Sequence, residues 1–159
     1  ELLHKTDVGG VILNLKCEEA EEAYRKLTSS LKNLSGVLIQ EMIEGVEVLV
    51  SGFRDPTFGP MVAVASGGIY TELLKDCVLD LAPISTDRAL HAIGRLKVYP
   101  ILAGYRGGKR YDVEDLANVL VKVSNMVIEN PTISEVELNP VIVEEKGAYV
   151  VDAKVLLRS

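Results

Sequence analysis

Long hydrophobic runs, cysteines and clustered basic residues are all scarce in this 159-residue sequence. No apolar run approaches the roughly 20 residues that a membrane-spanning helix needs, and no signal-peptide pattern is visible. Cys17 and Cys77 are too few for a disulfide scaffold and lack metal-ligand spacing, so a reducing, cytoplasmic setting is expected. The net charge is −6 and no stripe of Lys or Arg occurs, which makes nucleic acids and anionic membranes poor partners.

Several well-known functional motifs are also missing. The sequence contains no P-loop, no Rossmann glycine fingerprint, no G-x-S-x-G nucleophile elbow and no zinc-ligand spacing. An apolar fraction of 48% nevertheless indicates a folded core, in one domain or two small lobes. The chain begins at Glu1 rather than Met, and its first motif follows at once, so we expect a piece of a longer polypeptide.

The apolar pattern predicts alternating strands and helices, and hence an α+β or mixed α/β fold. The helices are expected over residues 18–33, 86–97 and 113–129, the second capped by Ser85 or Thr86 and the third by Asp112. A loop is expected at residues 54–60. Strands are expected over residues 11–16, 37–43, 46–50, 61–65, 79–82, 135–143 and 148–157.

The C-terminal hairpin is the most informative feature of the sequence. If Glu145 and Lys146 are central in its turn, Asn139 lies opposite Asp152, and Glu137 shares their face with Lys154. Carboxylate and amide oxygens grouped in this way suit Mg²⁺, whereas the simpler interpretation is a solvated strand face. A bulge at Gly147 would separate the pair. The opposite, apolar face would carry Val136, Leu138, Ile142, Tyr149 and Val151.

Four other features allow both a functional and a structural interpretation. The pairs Gly9-Gly10 and Gly67-Gly68 could bring amides close to phosphate or form ordinary turns. His4 could attack phosphorus or be a solvated loop residue. The basic, glycine-rich loop around Arg106 could attract an anion or be a surface loop. The acidic residues around a strand break could bind a ribose hydroxyl or only solvent; they are Glu41, Glu44 and Glu47.

Taken in order, the motifs resemble the ATP-grasp subunit of the ADP-forming (NDP-forming) acyl-CoA synthetases. The resemblance covers nearly the whole chain. The matching segments are Leu3-His4-Lys5-Thr6-Asp7-Val8-Gly9-Gly10-Val11, Gln40-Glu41-Met42-Ile43, residues 54–60, Gly67-Gly68-Ile69 with Glu72-Leu73-Leu74-Lys75-Asp76, residues 99–107, Glu137-Leu138-Asn139-Pro140 and Val151-Asp152-Ala153.

This resemblance implies an ATP-grasp fold, with ATP or ADP held between two lobes. Residues 1–40 would be the remainder of the first lobe, and residues 41–159 the second lobe with its metal-binding hairpin. It assigns a role to nine further residues. Gln40, Glu41 and Ile43 would meet the adenine, Glu47 the ribose, Gly9 and Gly10 the phosphates, and Glu137, Asn139 and Asp152 the Mg²⁺.

The resemblance also implies an activity, in which an acyl-CoA, ADP and phosphate are interconverted with an acid, CoA and ATP. The phosphoryl group would pass through phosphohistidines, one on a CoA-binding alpha subunit or fused domain and one at His4. The chain would then work in a hetero-oligomer or a longer polypeptide, and alone it would be inactive. The alternative is a non-catalytic ligand-sensing module, such as one fused to a protein acetyltransferase.

Two segments depart from the family pattern, and the milder case is Val64-Ala65-Ser66, before the second glycine pair. The family carries Arg after the Lys-Asp pair, whereas this chain reads Cys77-Val78-Leu79-Asp80-Leu81. The family also places further strands and a phosphate-contacting lysine before the His-Lys loop, and this sequence contains none of them.

Overall fold

The computed structural model describes residues 10–31, 34–67 and 76–158. The chain divides into two compact units, Glu1–Met42 and Ile43–Ser159. Within the described residues no helix combines the length and apolarity needed to cross a membrane.

The first unit contains helix α1, Ala20–Ser30, which continues from a 3-10 turn at Cys17–Glu19. Glu19 accepts a hydrogen bond from the Lys16 amide at 2.9 Å, which satisfies one of the donors that the start of a helix leaves unpaired. Acidic side chains in the first turn interact favourably with the positive end of the helix dipole. The helix predicted over residues 18–33 is therefore confirmed, and it ends at Ser30.

The strands predicted over residues 11–16 and 37–43 are wrong, because neither segment has strand structure. Their apolar side chains are largely exposed: 62% for Leu13 and 79% for both Leu38 and Ile39. A segment of high β-propensity forms a strand only when a neighbouring strand accepts and donates backbone hydrogen bonds. Among the described residues, none supplies that neighbour to either segment.

The second unit is built on a six-stranded antiparallel sheet. Along the sheet the order is β3-β2-β1-β4, and β4 then pairs with both β5 and β6. The strands are β1 Val46–Asp55, β2 Gly59–Ser66, β3 Cys77–Leu81, β4 Ile133–Glu144, β5 Gly147–Val150 and β6 Ala153–Leu157.

Three helices complete this unit: α2 Thr86–Gly94, α3 Tyr99–Leu102 and α4 Val113–Glu129. The Ser85 hydroxyl caps α2, accepting from the Arg88 amide at 3.4 Å. The Asp112 carboxylate caps α4, accepting from the Asp115 amide at 2.9 Å. Both predicted caps are confirmed, with Ser85 rather than Thr86 as the cap of α2, and α2 ends at Gly94, short of the expected residue 97.

The helices pack against one face of the sheet. The buried positions of α4 recur three and four residues apart and meet Val48, Val50 and Val136 of the sheet. Gly52 allows this contact, since a Cβ there would lie 2.8 Å from a methyl group of Val123. Each large side chain buried in this layer contributes about 1.5–3 kcal/mol to stability.

The predicted loop at residues 54–60 is a tight hairpin turn. β1 extends to Asp55 and β2 begins at Gly59, so only three residues lie outside the strands. The Asp55 carboxylate accepts from the amides of Thr57 at 2.8 Å and Phe58 at 2.9 Å, and Gly59 adopts φ +77°. Arg54 donates to carbonyls at the C-terminal end of α4, including that of Asn130 at 3.3 Å.

The apolar face predicted for the C-terminal hairpin is wrong beyond Leu138. Val136 and Leu138 face the core as expected. Beyond Leu138 the core-facing residues are Val141 and Val143, and Ile142 lies on the opposite face. The reason is a bulge: β1 residues two apart, Val48 and Val50, pair with β4 residues three apart. Tyr149 and Val151, also expected on that face, remain 42% and 38% exposed.

Candidate functional site

The C-terminal hairpin has the predicted register. Glu137 pairs with Lys154, and Glu144 pairs with Gly147. Between them the Asn139 amide donates to the Asp152 carbonyl at 3.1 Å. The predicted placement of Asn139 opposite Asp152 is confirmed, and Gly147 causes no slip, since it pairs with Glu144 as the first residue of β5 and tolerates a φ of +142° there.

These residues place two carboxylates and one amide on one face of the hairpin. The Asn139 side chain donates to the Glu137 carboxylate at 3.4 Å, and the Asp152 carboxylate accepts from the Ala153 amide at 2.9 Å. Glu137 is partly buried, whereas Asn139 and Asp152 are exposed. Within the described part of the chain, no cluster of three or more His, Cys, Asp or Glu side chains could enclose a metal. Two carboxylates and one amide oxygen are nevertheless donors that suit Mg²⁺, which uses one or two protein carboxylates and completes its octahedron with water and phosphate.

Strand β1 adds Ser51 and Glu47 to the same face of the sheet. Ser51 pairs directly with Glu137, and Glu47 pairs with Ile142. Glu47 is exposed and lies four residues from Ser51, which is about 13 Å along a strand. Sequence reasoning missed Ser51, because no local signal reveals that β1 pairs with a strand more than 80 residues later.

The other predicted site residues fall into two groups. His4 and Gly9 lie outside the described residues, as do Gly68 and the matching segment 69–75. Of the rest, Gly10 is partly buried in the first unit, where Gln40 and Glu41 are exposed. Ile43 is partly buried and belongs to the second unit.

Asp80, the acidic residue of the segment that departs from the family pattern, lies on the helix-covered face of the sheet. It is two residues from the buried Val78 and pairs with the buried Val62. Its carboxylate accepts from Arg88 of α2 at 3.3 Å. The reversed charge is therefore neutralised by an ion pair on the face opposite to Glu47.

The basic loop around Arg106 is held by its own contacts. The Arg106 guanidinium lies 5.2 Å from the centre of the Tyr105 ring. Lys109 forms an ion pair with Glu145 at 2.9 Å, and this hydrogen bond raises the pKa of Lys109. The loop is thus tied to the β4–β5 turn.

Comparisons with known proteins identify the family of the chain. The model of the ATP-grasp domain family matches residues 1–157. The beta subunit of acetate–CoA ligase (ADP-forming) I from Pyrococcus furiosus is 44% identical over 165 residues, covering 99% of this chain and 71% of the relative. Acetate–CoA ligase (ADP-forming) I from Archaeoglobus fulgidus is 39% identical over 99% of this chain, which spans only 24% of that relative.

A solved structure shows the same fold. It is dinucleotide-forming acetyl-coenzyme A synthetase 1 of Ca. Korarchaeum cryptofilum, in complex with coenzyme A and Mg-AMPPCP, with its phosphohistidine segment pointing towards the nucleotide binding site. The TM-score is 0.88 at 39% identity, covering 99% of this chain and 72% of that one. The chain therefore belongs to the ATP-grasp domain family and, within it, groups with the beta subunits of the ADP-forming acid–CoA ligases.

Proposed function

We propose that this chain is the nucleotide-binding part of an ADP-forming acyl-CoA synthetase. The overall reaction would convert an acyl-CoA, ADP and phosphate into an acid, CoA and ATP. The observation that carries the proposal is the β4–β6 register, which gathers Glu137, Asn139 and Asp152 on one face. A Mg²⁺ ion bound there would neutralise charge on the nucleotide phosphates.

Glu47 supports the same proposal. It lies on the face that carries Glu137, about 13 Å along β1 from Ser51, the residue that pairs with Glu137, and this suits a nucleotide with its ribose at Glu47 and its phosphates at the hairpin. Gln40, Glu41 and Ile43 would meet the adenine, and Gly9 and Gly10 would cover the phosphates. Residues 1–40 would then belong to the first ATP-grasp lobe and residues 41–159 to the second.

His4 would carry the phosphoryl group. The lone pair of a neutral imidazole nitrogen would form a bond to phosphorus while the donor phosphohistidine's P–N bond breaks. An oxygen of ADP would then attack the phosphorus, and the P–N bond at His4 would break, giving ATP and the free imidazole.

A CoA-binding alpha subunit, or a fused domain, would be the partner and would supply the acyl and CoA sites. The beta-subunit relatives already imply a multi-subunit or fused enzyme. The exposed free thiols of Cys17 and Cys77 support a reducing, cytoplasmic location.

The metal assignment is tested by Asp152→Asn in the complete enzyme with its CoA-binding partner. Loss of one carboxylate should raise the Mg²⁺ concentration needed for half-maximal ATP formation about tenfold or more. Glu135→Gln is the matched control, since Glu135 lies on β4 and the same face as Glu137 but pairs with Leu156 rather than with a residue of the proposed site. An unchanged Mg²⁺ dependence in Asp152→Asn would rule out this site.

The relay assignment is tested by His4→Ala in the same enzyme. ATP formation should fall to background, while formation of an acyl phosphate by the partner persists, because only the ATP-grasp half of the transfer needs this imidazole. Full ATP formation by the variant would remove His4 from the pathway. Nucleotide binding without any turnover in the unmodified enzyme would instead favour the ligand-sensing alternative.

A further inference from the structure

Gly67 lies directly against the backbone of Glu47. The Gly67 amide donates to the Glu47 carbonyl at 2.9 Å. A Cβ at Gly67 would lie 2.5 Å from the Glu47 carbonyl carbon and 2.7 Å from both the Glu47 carbonyl oxygen and the Val48 nitrogen. These are backbone atoms in a paired strand, so they cannot turn aside as the end of a side chain could.

The backbone on the Gly67 side of this contact is held in place by its neighbours. The Ser66 amide donates to the Asp76 carbonyl at 3.0 Å, and the Ser66 hydroxyl donates to the Asp76 carboxylate. That carboxylate is 5% exposed and also accepts from the amides of Lys97, at 2.9 Å, and Val98, at 3.3 Å. Because Asp76 ties the end of β2 to the segment between α2 and α3, Gly67 has little freedom to retreat.

The other side of Glu47 is equally close to backbone. Two residues earlier in the chain, a Cβ at Gly45 would lie 2.3 Å from the Val143 carbonyl oxygen. The chain around Glu47 therefore sits between two glycine contacts, one with the end of β2 and one with β4. Glycine in or beside a strand often marks such a close approach of another backbone.

We propose that Gly67 is a positioning residue that sets the Glu47 carboxylate for contact with the ribose hydroxyls of the nucleotide. This inference rests on the role of Glu47 in the proposed function. Gly67 itself need not touch the nucleotide, since any side chain at this position shifts the Glu47 backbone and moves the carboxylate away from the hydroxyls. The Gly67 position thus contributes to recognition of the sugar rather than of the base or phosphates.

The test compares binding of ADP with binding of 2′,3′-dideoxy-ADP, which lacks both hydroxyls, to the complete enzyme in the presence of Mg²⁺. A carboxylate–hydroxyl contact should make ADP bind about tenfold more tightly than the dideoxy analogue. Glu47→Gln and Gly67→Ala should both reduce this preference about threefold or more. In the double variant the preference should fall no further than in Glu47→Gln alone, because both changes remove the same contact.

Gly52→Ala is the matched control. It also adds a methyl group to a crowded glycine of the same sheet, but toward Val123 and Val127 on the core face. It should lower stability and leave the preference for ADP unchanged. If Gly67→Ala does not fold, Asp76→Asn is tested in its place. This change weakens the hydrogen bonds that hold Gly67 in position, so it should also reduce the preference for ADP over the dideoxy analogue.

The outcomes distinguish the ribose contact of Glu47 from the positioning role of Gly67. The positioning role is overturned if Glu47→Gln lowers the preference for ADP but a folded Gly67→Ala retains it. If Gly67→Ala does not fold, retention of the preference in Asp76→Asn has the same meaning. In both cases the ribose contact of Glu47 still stands. A preference unaffected by Glu47→Gln overturns the ribose contact and the positioning role together. A loss in Gly52→Ala as large as in Gly67→Ala assigns the effect to general disturbance of the sheet and also overturns the inference.

Discussion

At the scale of single residues, Asp76 shows how a buried charge is tolerated. Its carboxylate accepts hydrogen bonds from the Ser66 hydroxyl and from the amides of Lys97 and Val98. Such charge-assisted bonds offset the cost of taking a carboxylate out of water. The same charge acts on the next residue in the chain: partial burial and the Asp76 charge together raise the pKa of the Cys77 thiol.

The raised pKa predicts the reactivity of Cys77. Because the thiolate is the nucleophile, a raised pKa leaves less of it at neutral pH, so alkylation by iodoacetamide should have its pH midpoint above that of an ordinary thiol. The measurement uses Cys17→Ser, so that Cys77 is the thiol observed. Asp76→Asn in that background should move the midpoint to lower pH, and a midpoint that does not move would exclude the charge of Asp76 as a cause.

At the scale of elements, short-range hydrogen bonds determine where the helices start. Ser85 and Asp112 each accept from an amide three residues later and so satisfy a donor that the first helical turn leaves unpaired. The Asp112 contact is shorter, at 2.9 Å against 3.4 Å, and its charge interacts favourably with the helix dipole.

The caps should therefore differ in strength. Asp112→Ala should lower the free energy of unfolding by about 1–2 kcal/mol, and Ser85→Ala by about 0.5–1 kcal/mol. Urea titration followed by circular dichroism measures both. Thr86→Ala is the control. Because Thr86 lies inside the helix, this substitution should leave the free energy of unfolding unchanged. Equal losses for Ser85→Ala and Thr86→Ala would show that the Ser85 hydroxyl is not an effective cap.

At the scale of the whole molecule, the residues proposed to bind the nucleotide come from both compact units. Gly10, Gln40 and Glu41 belong to Glu1–Met42, whereas Glu47 and the hairpin belong to Ile43–Ser159. The chain spans 71% of one beta-subunit relative and about a quarter of a longer ligase. Activity is therefore expected from the complete enzyme.

The chain alone should form no ATP from acyl-CoA, ADP, phosphate and Mg²⁺, because the resemblance assigns the CoA and acid sites to the partner. A coupled assay for ATP measures this, with the complete enzyme as the positive control. Turnover by the isolated 159 residues would contradict the proposal that the partner supplies the CoA and acid sites.

Much of the candidate site could be predicted from the sequence because its central feature is local. Asn139 and Asp152 face each other across a short hairpin, so the turn alone determines their register. The partners of the hairpin could not be predicted in this way. Ser51 reaches Glu137 only because β1 pairs with β4, a strand more than 80 residues later in the chain.

The sequence by itself determined the helix caps, the hairpin register, the placement of Glu137, Asn139 and Asp152 on one face of the hairpin, and the family, since each depends on neighbouring residues or on an ordered set of motifs. Tertiary structure decided the rest. It placed β1 between β2 and β4, and the bulge between β1 and β4 moved burial from the expected Ile142 to Val141 and Val143. It also left residues 11–16 and 37–43 without strand structure. The physical reason is that strand pairing and burial depend on partners distant in the chain, whose positions no local pattern encodes.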